Sequence, residues 1–367
     1  MPASVKPLPP EDLAHVLNST REHWAEAKGR TFFITGGTGF FGMWLLESFA
    51  YINDTLGLDL RATVLTRDPL AFALKAPHLT ARADLTFIRG DVRFFEFPSG
   101  QFDYVIHAAT EASAKLNEVD PQEMLDAIIG GTRRVLDFAA QAGVKKLLLT
   151  SSGAVYGKQP AEITHVSEDY LGAPDPLLPG SAYGEGKRVS EHMCVVHARQ
   201  HGYEVKIARC FAFVGPHLPL DTHFAIGNFI RDAMRGGLIT VAGDGTPMRS
   251  YLYASDLAIW LWVILFKGST GCAYNVGSAQ DLSIREVAEA VSDALGGNVR
   301  IRTVKQADPN VAASRYVPSI NKAVTGLGLQ VRISLLQSIL KTADWYGWRP
   351  SNKVGCNGGF EEKIMLT

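Results

Sequence analysis

Cysteine is scarce and scattered in this 367-residue chain: Cys194, Cys210, Cys272 and Cys356 form no C-x-x-C pair and have no histidine at ligand spacing. That excludes a disulfide framework and a zinc site, and no metal is expected. An excess of one charge is also lacking. Against 37 Asp and Glu stand 36 Lys and Arg, a formal net charge of −1. A phosphate backbone needs a basic surface, so nucleic acid is not an expected partner. Long hydrophobic runs are missing too. The longest, Leu257–Phe266, spans ten residues between Asp256 and Lys267, where a bilayer crossing needs about 20. It reads as a buried helix, and no membrane association is expected. The opening MPASVKPLPP has neither the charged n-region nor the apolar h-region of a signal peptide. A reducing, cytoplasmic compartment is the expectation.

What is present is core-forming material. Apolar residues make up 46% and charged residues 20%, which supports a large core and argues against global disorder. At about 150 residues per domain the length suggests two to three units, or one large unit with an appendage. Residues 11–28 pattern as a short amphipathic helix with Leu13, Val16, Leu17 and Trp24 on one face. From residue 31, five short apolar runs (TFFITGG, RATVLTR, LTFIRGD, YVIHAAT and VKKLLLTSS) end in small or polar residues, with helical stretches between several of them. This alternation predicts an α/β fold with a doubly wound parallel sheet. Residues 157–182, rich in Pro, Gly and acids, read as a long loop, followed by a helix over 183–201 and the strand YEVKIARCF. Beyond 216, helices are expected at 226–236, 255–267, 283–296 and 332–346, with short strands at 238–242 and 299–303.

The first strand runs into Gly36-Gly37-Thr38-Gly39-Phe40-Phe41-Gly42 and then a helix. A helix N-terminus presents unpaired N–H groups and a positive dipole end, and glycines let a pyrophosphate approach them. Gly36, Gly39, Phe40, Phe41 and Gly42 are therefore candidate contacts of a dinucleotide. The end of the next strand selects between cofactors: a carboxylate there suits the ribose hydroxyl of NAD, an arginine the 2′-phosphate of NADP. The residues are Thr66-Arg67-Asp68; Arg67 favours NADP, and Asp68 leaves NAD as the alternative. Asp91 is placed to accept from an adenine amino group, with Val92 beside it. Ala108 and Ala109, with Thr110, let backbone pass close to a cofactor, and Thr150 closes the candidate set.

Thr150-Ser151-Ser152 ends an apolar strand, where a doubly wound sheet presents its chemistry. Tyr183 and Lys187 lie four apart on one helix face. A free phenol, with pKa about 10, is a poor base at neutral pH, but a nearby ammonium favours the phenolate. Tyr183 can then act as acid or base while Ser152 holds a substrate oxygen.

Taken together, TGGTGFFG, GDVR, HAAT, SSGAVYG, SAYGEGK, RCFAFVGP and GDGTPMRSYLYASDLA resemble the extended short-chain dehydrogenase/reductases of the nucleotide-sugar epimerase/dehydratase family. The resemblance covers roughly residues 30–346. It implies a Rossmann-like domain, mainly 30–215, and a smaller nucleotide-sugar-binding lobe, mainly 216–346. These are flanked by an N-terminal helical extension (1–29) and a mobile tail (347–367). It implies Ser152, Tyr183 and Lys187 as the catalytic triad, Arg249 on the sugar-nucleotide diphosphate and Thr240 beside the nucleobase. It also implies a homodimer that pairs the helices near 121–142 and 183–201 in a four-helix bundle. Two departures stand out. The usual Asn-x-x-Gly-Thr is Ile128-Ile129-Gly130-Gly131-Thr132, and no second diphosphate arginine is evident around Gln306–Arg315.

Several chemistries share this framework. Members that dehydrate NDP-glucose carry Asp-Glu directly after the catalytic Ser or Thr, but here the pair is Gly153-Ala154, with Glu111 the nearest carboxylate in the motifs. That leaves reduction of an NDP-4-keto-6-deoxyhexose at C4 as the leading expectation, ahead of an NDP-sugar 4-epimerase. Dehydration and a non-catalytic NADP sensor follow, since fold does not fix function.

Overall fold

The computed structural model describes residues 6–110, 114–222, 224–297 and 299–349. Glu111, Cys356 and the tail beyond Arg349 lie outside the described residues. Helix α1 (Pro10–Thr20) opens the chain. It is followed by β1 (Thr31–Thr35), α2 (Phe40–Leu56), β2 (Arg61–Thr66), α3 (Pro69–Lys75), α4 (Pro77–Thr80), β3 (Leu85–Arg89) and β4 (Tyr104–His107). Next come α5 (Ala114–Val119), α6 (Pro121–Leu125), α7 (Gly131–Gln141), β5 (Lys146–Ser152), α8 (Ala182–His201) and β6 (Glu204–Cys210). The remaining third contributes β7 (Phe213–Val214), α9 (Ala225–Met234), β8 (Ile239–Val241), β9 (Met248–Arg249), β10 (Leu252–Tyr253) and α10 (Ala254–Lys267). It ends with β11 (Cys272–Val276), β12 (Leu282–Ser283), α11 (Ile284–Ala294), β13 (Ile301–Thr303), β14 (Arg315–Tyr316), α12 (Asn321–Leu327) and α13 (Leu335–Trp345).

Seven strands form one parallel sheet in the order β11-β6-β5-β4-β1-β2-β3. Its strands are apolar on both faces because both are covered. Phe32 and Ile34 of β1 pack with α2 and α10, whereas Phe33 packs with Val135, Leu136 and Phe138 of α7 and Cys194 of α8. Strand order reverses between β1 and β4, and the crevice outside that switch point is where such sheets bind ligands. The second core gathers α9, α11, α13, β8 and the flanking apolar side chains into a smaller lobe.

The run Leu257–Phe266 is the buried helix its length predicts, since every residue from Ala254 to Phe266 in α10 is buried. No helix among the described residues is long and apolar enough to cross a membrane. Two features were not legible. Strand β11 follows α10 back into the large sheet beside β6, so the two lobes interleave along the chain. The N-terminal helix stops at Thr20 and tightens into a 3₁₀ segment, Arg21–Ala27. There the Thr20 hydroxyl donates to Val16 O and accepts from the Trp24 indole at 3.0 Å. Trp24 is fully buried, edge-on to Trp262 at 4.8 Å and to Phe266 at 5.1 Å. Asp12, also buried, accepts from the Tyr253 phenol and from Lys341, each at 2.7 Å. The extension is thus a structural layer over α10.

Trp24→Ala should therefore lower the unfolding free energy by about 3–5 kcal/mol, the usual scale for emptying a buried tryptophan site. Urea unfolding measures this; a loss below about 1 kcal/mol would show that the extension is dispensable to the core.

Candidate active site

Steric demand explains the glycine loop. Gly36 has φ +74°, and a Cβ there would lie 2.4 Å from Ala108 C and 2.6 Å from Ala109 N. A Cβ on Gly42 would lie 2.2 Å from Gly37 C. The loop therefore folds tightly against the end of β4. Gly39 begins α2 without a side-chain cap, so first-turn N–H groups are left for another acceptor. From this loop a cavity of about 900 Å³ runs past the ends of β2 and β3 in one direction and to Ser152, Tyr183 and Lys187 in the other. Its size and its glycine cradle fit a nicotinamide dinucleotide.

The cavity brings together the cofactor candidates Gly36, Gly39, Phe40, Phe41, Arg67, Asp91, Val92, Ala108, Ala109, Thr110 and Thr150. Gly42 stands behind them as a packing residue. Arg67 is exposed at the cavity wall, while the Asp68 carboxylate is engaged elsewhere, accepting from Ala71 N at 2.9 Å as the cap of α3. Asp91 lines the cavity but already accepts from Arg93 N and Nε at 2.9 Å and from Nη2 at 3.0 Å. The Arg93 guanidinium holds the Asp91 carboxyl below the usual carboxylate range. Arg93 also reaches Glu123 at 2.9 Å, which ties the β3 loop to α6.

At the other end, Lys187 is buried, and its Nζ donates to Thr110 Oγ1 at 2.6 Å and to Thr150 O at 2.8 Å. Burial pushes its ammonium down to about 8. Tyr183 sits one turn earlier on α8, its backbone N–H donating to Asn117 Oδ1 at 2.9 Å. The sequence led to the expectation that Lys187 favours the Tyr183 phenolate. The structure corrects this for the protein by itself: burial pushes the phenol up to about 12, and a hydrogen bond with Ser152 only partly offsets it. Lys187 Nζ lies 6.0 Å from the Tyr183 ring centroid and spends its protons on Thr110 and Thr150. Behind them His107, pushed down to about 3 by burial, is a neutral spacer between Thr35 Oγ1 at 2.8 Å and Thr132 Oγ1 at 3.2 Å.

Ser152 Oγ accepts from Ala154 N at 3.1 Å and lies 3.3 Å from the phenol oxygen of Tyr316. No sequence signal pointed to Tyr316, an isolated aromatic at the end of a two-residue strand, though it lines the cavity with Cys210, Phe211, Leu218 and Phe224. It also explains Gly153. A Cβ there would lie 2.7 Å from the Phe211 ring and 2.9 Å from the Tyr316 oxygen. The two remaining candidates stand outside the cavity wall. Arg249 on β9 donates to Met248 O at 2.8 Å and lies 5.9 Å from the Tyr316 ring centroid. Thr240 sits in the β8–β13 ribbon opposite Arg302. Arg315, near the gap where a second diphosphate arginine was sought, pairs with Asp281 at 2.9 Å.

Residues 32–277 match the model of the NAD dependent epimerase/dehydratase family. The chain is 31% identical over 325 residues to UDP-glucuronic acid decarboxylase 1 of Xenopus tropicalis, covering 88% of this chain and 73% of that one. To UDP-glucuronic acid decarboxylase 6 of Arabidopsis thaliana it is 31% identical over 309 residues, 83% of this chain and 85% of the other. Among solved structures, UDP-glucose 4-epimerase of Thermotoga maritima superposes with a TM-score of 0.73 at 20% identity, covering 86% of this chain and 98% of that one. The dTDP-glucose 4,6-dehydratase DesIV of Streptomyces venezuelae, with NAD bound, gives 0.72 at 24% identity over 86% and 96%. With the fold, the glycine cradle and the Ser–Tyr–Lys cluster in place, the chain belongs to the NAD dependent epimerase/dehydratase family of nucleotide-sugar enzymes.

Proposed function

We propose that the chain reduces a nucleotide-linked 4-keto-6-deoxyhexose at C4, with NADPH as the hydride source. The observation that carries the reading is the wall beside Ser152. Dehydration across C5–C6 needs an acid and a base there. Gly153 and Ala154 offer neither, and Phe211 and Tyr316 fill the space a side chain on residue 153 would need. Among the described residues, the carboxylates lining the cavity are Asp91 and Glu123, both bonded to Arg93 at the far end.

In this reading Ser152 holds the 4-keto oxygen and Tyr183 gives it a proton. A phenol kept protonated by burial is in the right state to donate. Lys187, one turn along α8 from Tyr183, is itself anchored to Thr110 and the Thr150 carbonyl. The dinucleotide, when bound, supplies the hydride, with its phosphates on the glycine loop and Arg67 toward the 2′-phosphate. The sugar nucleotide extends toward the lobe of β8 and β9, with Arg249 near its diphosphate and Thr240 near its base. A homodimer through α6–α7 and α8 agrees with Val189 and Val196, seven apart on α8 and each about two-fifths exposed.

A second reading, decarboxylation of a nucleotide-linked hexuronic acid, is favoured by the likeness to UDP-glucuronic acid decarboxylases. It too works through C4: a 4-keto group makes the C5 carboxylate a β-keto acid, which loses CO₂ without a carboxylate base. A panel of UDP-, dTDP-, GDP- and CDP-sugars, their 4-keto-6-deoxy forms and UDP-glucuronic acid separates the readings. Reduction consumes NADPH in step with the 4-keto sugar. Release of CO₂ with no net NADPH consumption would replace it with decarboxylation, and interconversion of 4-epimers without net consumption would replace it with epimerisation. In deuterated water, deuterium at C5 with a new 6-methyl signal from an NDP-glucose would restore the dehydratase.

Cofactor choice gives a further expectation. Arg67→Ala should weaken NADPH relative to NADH by on the order of 1.5–3 kcal/mol, the scale of one charge-assisted contact. Titration of both cofactors measures it, and equal weakening would show that Arg67 does not read the phosphate.

The pH dependence follows from Lys187. Its folded value is lowered to about 8, so its charge is present below that pH and lost above it. Turnover should fall as pH rises through about 8, and Lys187→Met should remove this limb from the pH–rate profile along with most of the rate. Persistence of the limb in that variant would assign it to another group.

A further inference from the structure

Strand β11 forms one edge of the large sheet, and an edge strand leaves a row of backbone groups without partners. Here that edge is closed by two loop segments rather than by another strand. Asn275, fully buried near the end of β11, donates its backbone N–H to Glu168 Oε1 at 2.7 Å. Its side-chain amide donates to Val166 O at 2.9 Å and to Ser319 O at 3.0 Å, and its amide oxygen accepts from the Tyr156 phenol at 2.7 Å. Both amide protons and the amide oxygen are thus used. The two segments it grips also hold each other: Val166 N–H donates to Val317 O at 2.9 Å, and Ser319 N–H to Val166 O at 2.8 Å.

Tyr316 is the residue just before this strap, and its phenol stands 3.3 Å from Ser152 Oγ. We propose that Asn275 is a positioning residue for the reacting end: by holding the strap at Val166 and Ser319 it fixes the Tyr316 phenol opposite Ser152. Its grip is in turn oriented from the catalytic side. The Tyr156 phenol that donates to Asn275 accepts from Arg209 at 2.9 Å, and Arg209 pairs with Glu191 on α8, one turn beyond Lys187. A buried charged pair is a poor source of stability compared with apolar packing, whereas a fixed geometry is something it can supply. One connected set of hydrogen bonds therefore spans the segments that carry Ser152, Lys187 and Tyr316. The inference concerns where Tyr316 is held, so it stands whichever C4 reaction the site performs.

The test reads Tyr316 directly in the full-length chain. With 3-fluorotyrosine in place of tyrosine, fluorine NMR gives one resonance per tyrosine; the spectra of Tyr316→Phe and Tyr253→Phe assign two of them. In Asn275→Ala the Tyr316 resonance should move toward the position of an exposed tyrosine and titrate about one pH unit or more earlier as the phenol leaves its buried place. Tyr253, buried and hydrogen-bonded to Asp12, should keep its wild-type shift. Glu168→Ala, which frees only the Asn275 backbone N–H, should move Tyr316 in the same direction by less, and it carries the test if Asn275→Ala does not fold. An unchanged Tyr316 resonance in either folded variant would overturn the proposal. So would a common shift of Tyr316 and Tyr253, which would reveal a general loosening.

Discussion

The molecule is organised around a single close approach of backbone to backbone. At the switch point of the sheet, the turn leaving β1 presses so closely on the end of β4 that a Cβ at Gly36 would lie only 2.4 Å from the Ala108 carbonyl carbon, far inside non-bonded contact distance. That approach aims the first turn of α2 into the crevice, and it is possible only because Gly36 and Gly42 have no side chains. The ends of β2, β3, β4 and β5 open onto the same crevice because all pair in parallel with one register. The cavity is a consequence of topology, and its phosphate cradle a consequence of glycine.

Burial dominates the electrostatics of the reacting end. The same loss of solvent pushes the Tyr183 phenol up, the Lys187 ammonium down and the His107 imidazole down. All three shifts favour the neutral form: the phenol and the imidazole are uncharged at neutral pH, whereas the Lys187 ammonium, lowered to about 8, keeps its charge below that pH and is held by hydrogen bonds to Thr110 and Thr150. This arrangement suits a proton donor better than a base. A positive ring bound against Tyr183 would pull the phenol in the opposite direction. The direction of chemistry that the site favours is therefore set jointly by the protein's desolvation and by the charge of what it binds.

Much of this was legible in the sequence, for a physical reason. The sheet, the glycine loop and the pairing of Tyr183 with Lys187 rest on local rules: apolar runs of strand length, a turn that only glycine can make, and an i, i+4 spacing on one helix. What could not be read depended on contacts between segments far apart in the chain. Tyr316 meets Ser152 across 164 positions, and its strand is only two residues long, too short to leave a periodic pattern. The return of β11 to the large sheet was hidden because a five-residue strand after a buried helix reads equally well as part of either lobe. Asp68 also has a local role that was not assigned from the sequence. An aspartate before Pro69 is a natural helix cap, and its Oδ1 accepts from Ala71 N at 2.9 Å.

Tyr316 and Gly153 are best understood as two halves of one choice. A side chain on residue 153 and a phenol from β14 compete for the same volume next to Ser152, and the 2.9 Å separation of an imagined Cβ from the Tyr316 oxygen shows that both cannot be present without displacement. An acid placed on residue 153 would therefore have to push the ends of the Tyr316 and Phe211 side chains aside. A substitution at this single position changes the packing of Phe211 and Tyr316 as well as the chemistry beside Ser152. The room beside Ser152 is set by Tyr316, next to the strap that closes the edge of the sheet, as much as by the residues at the end of β5.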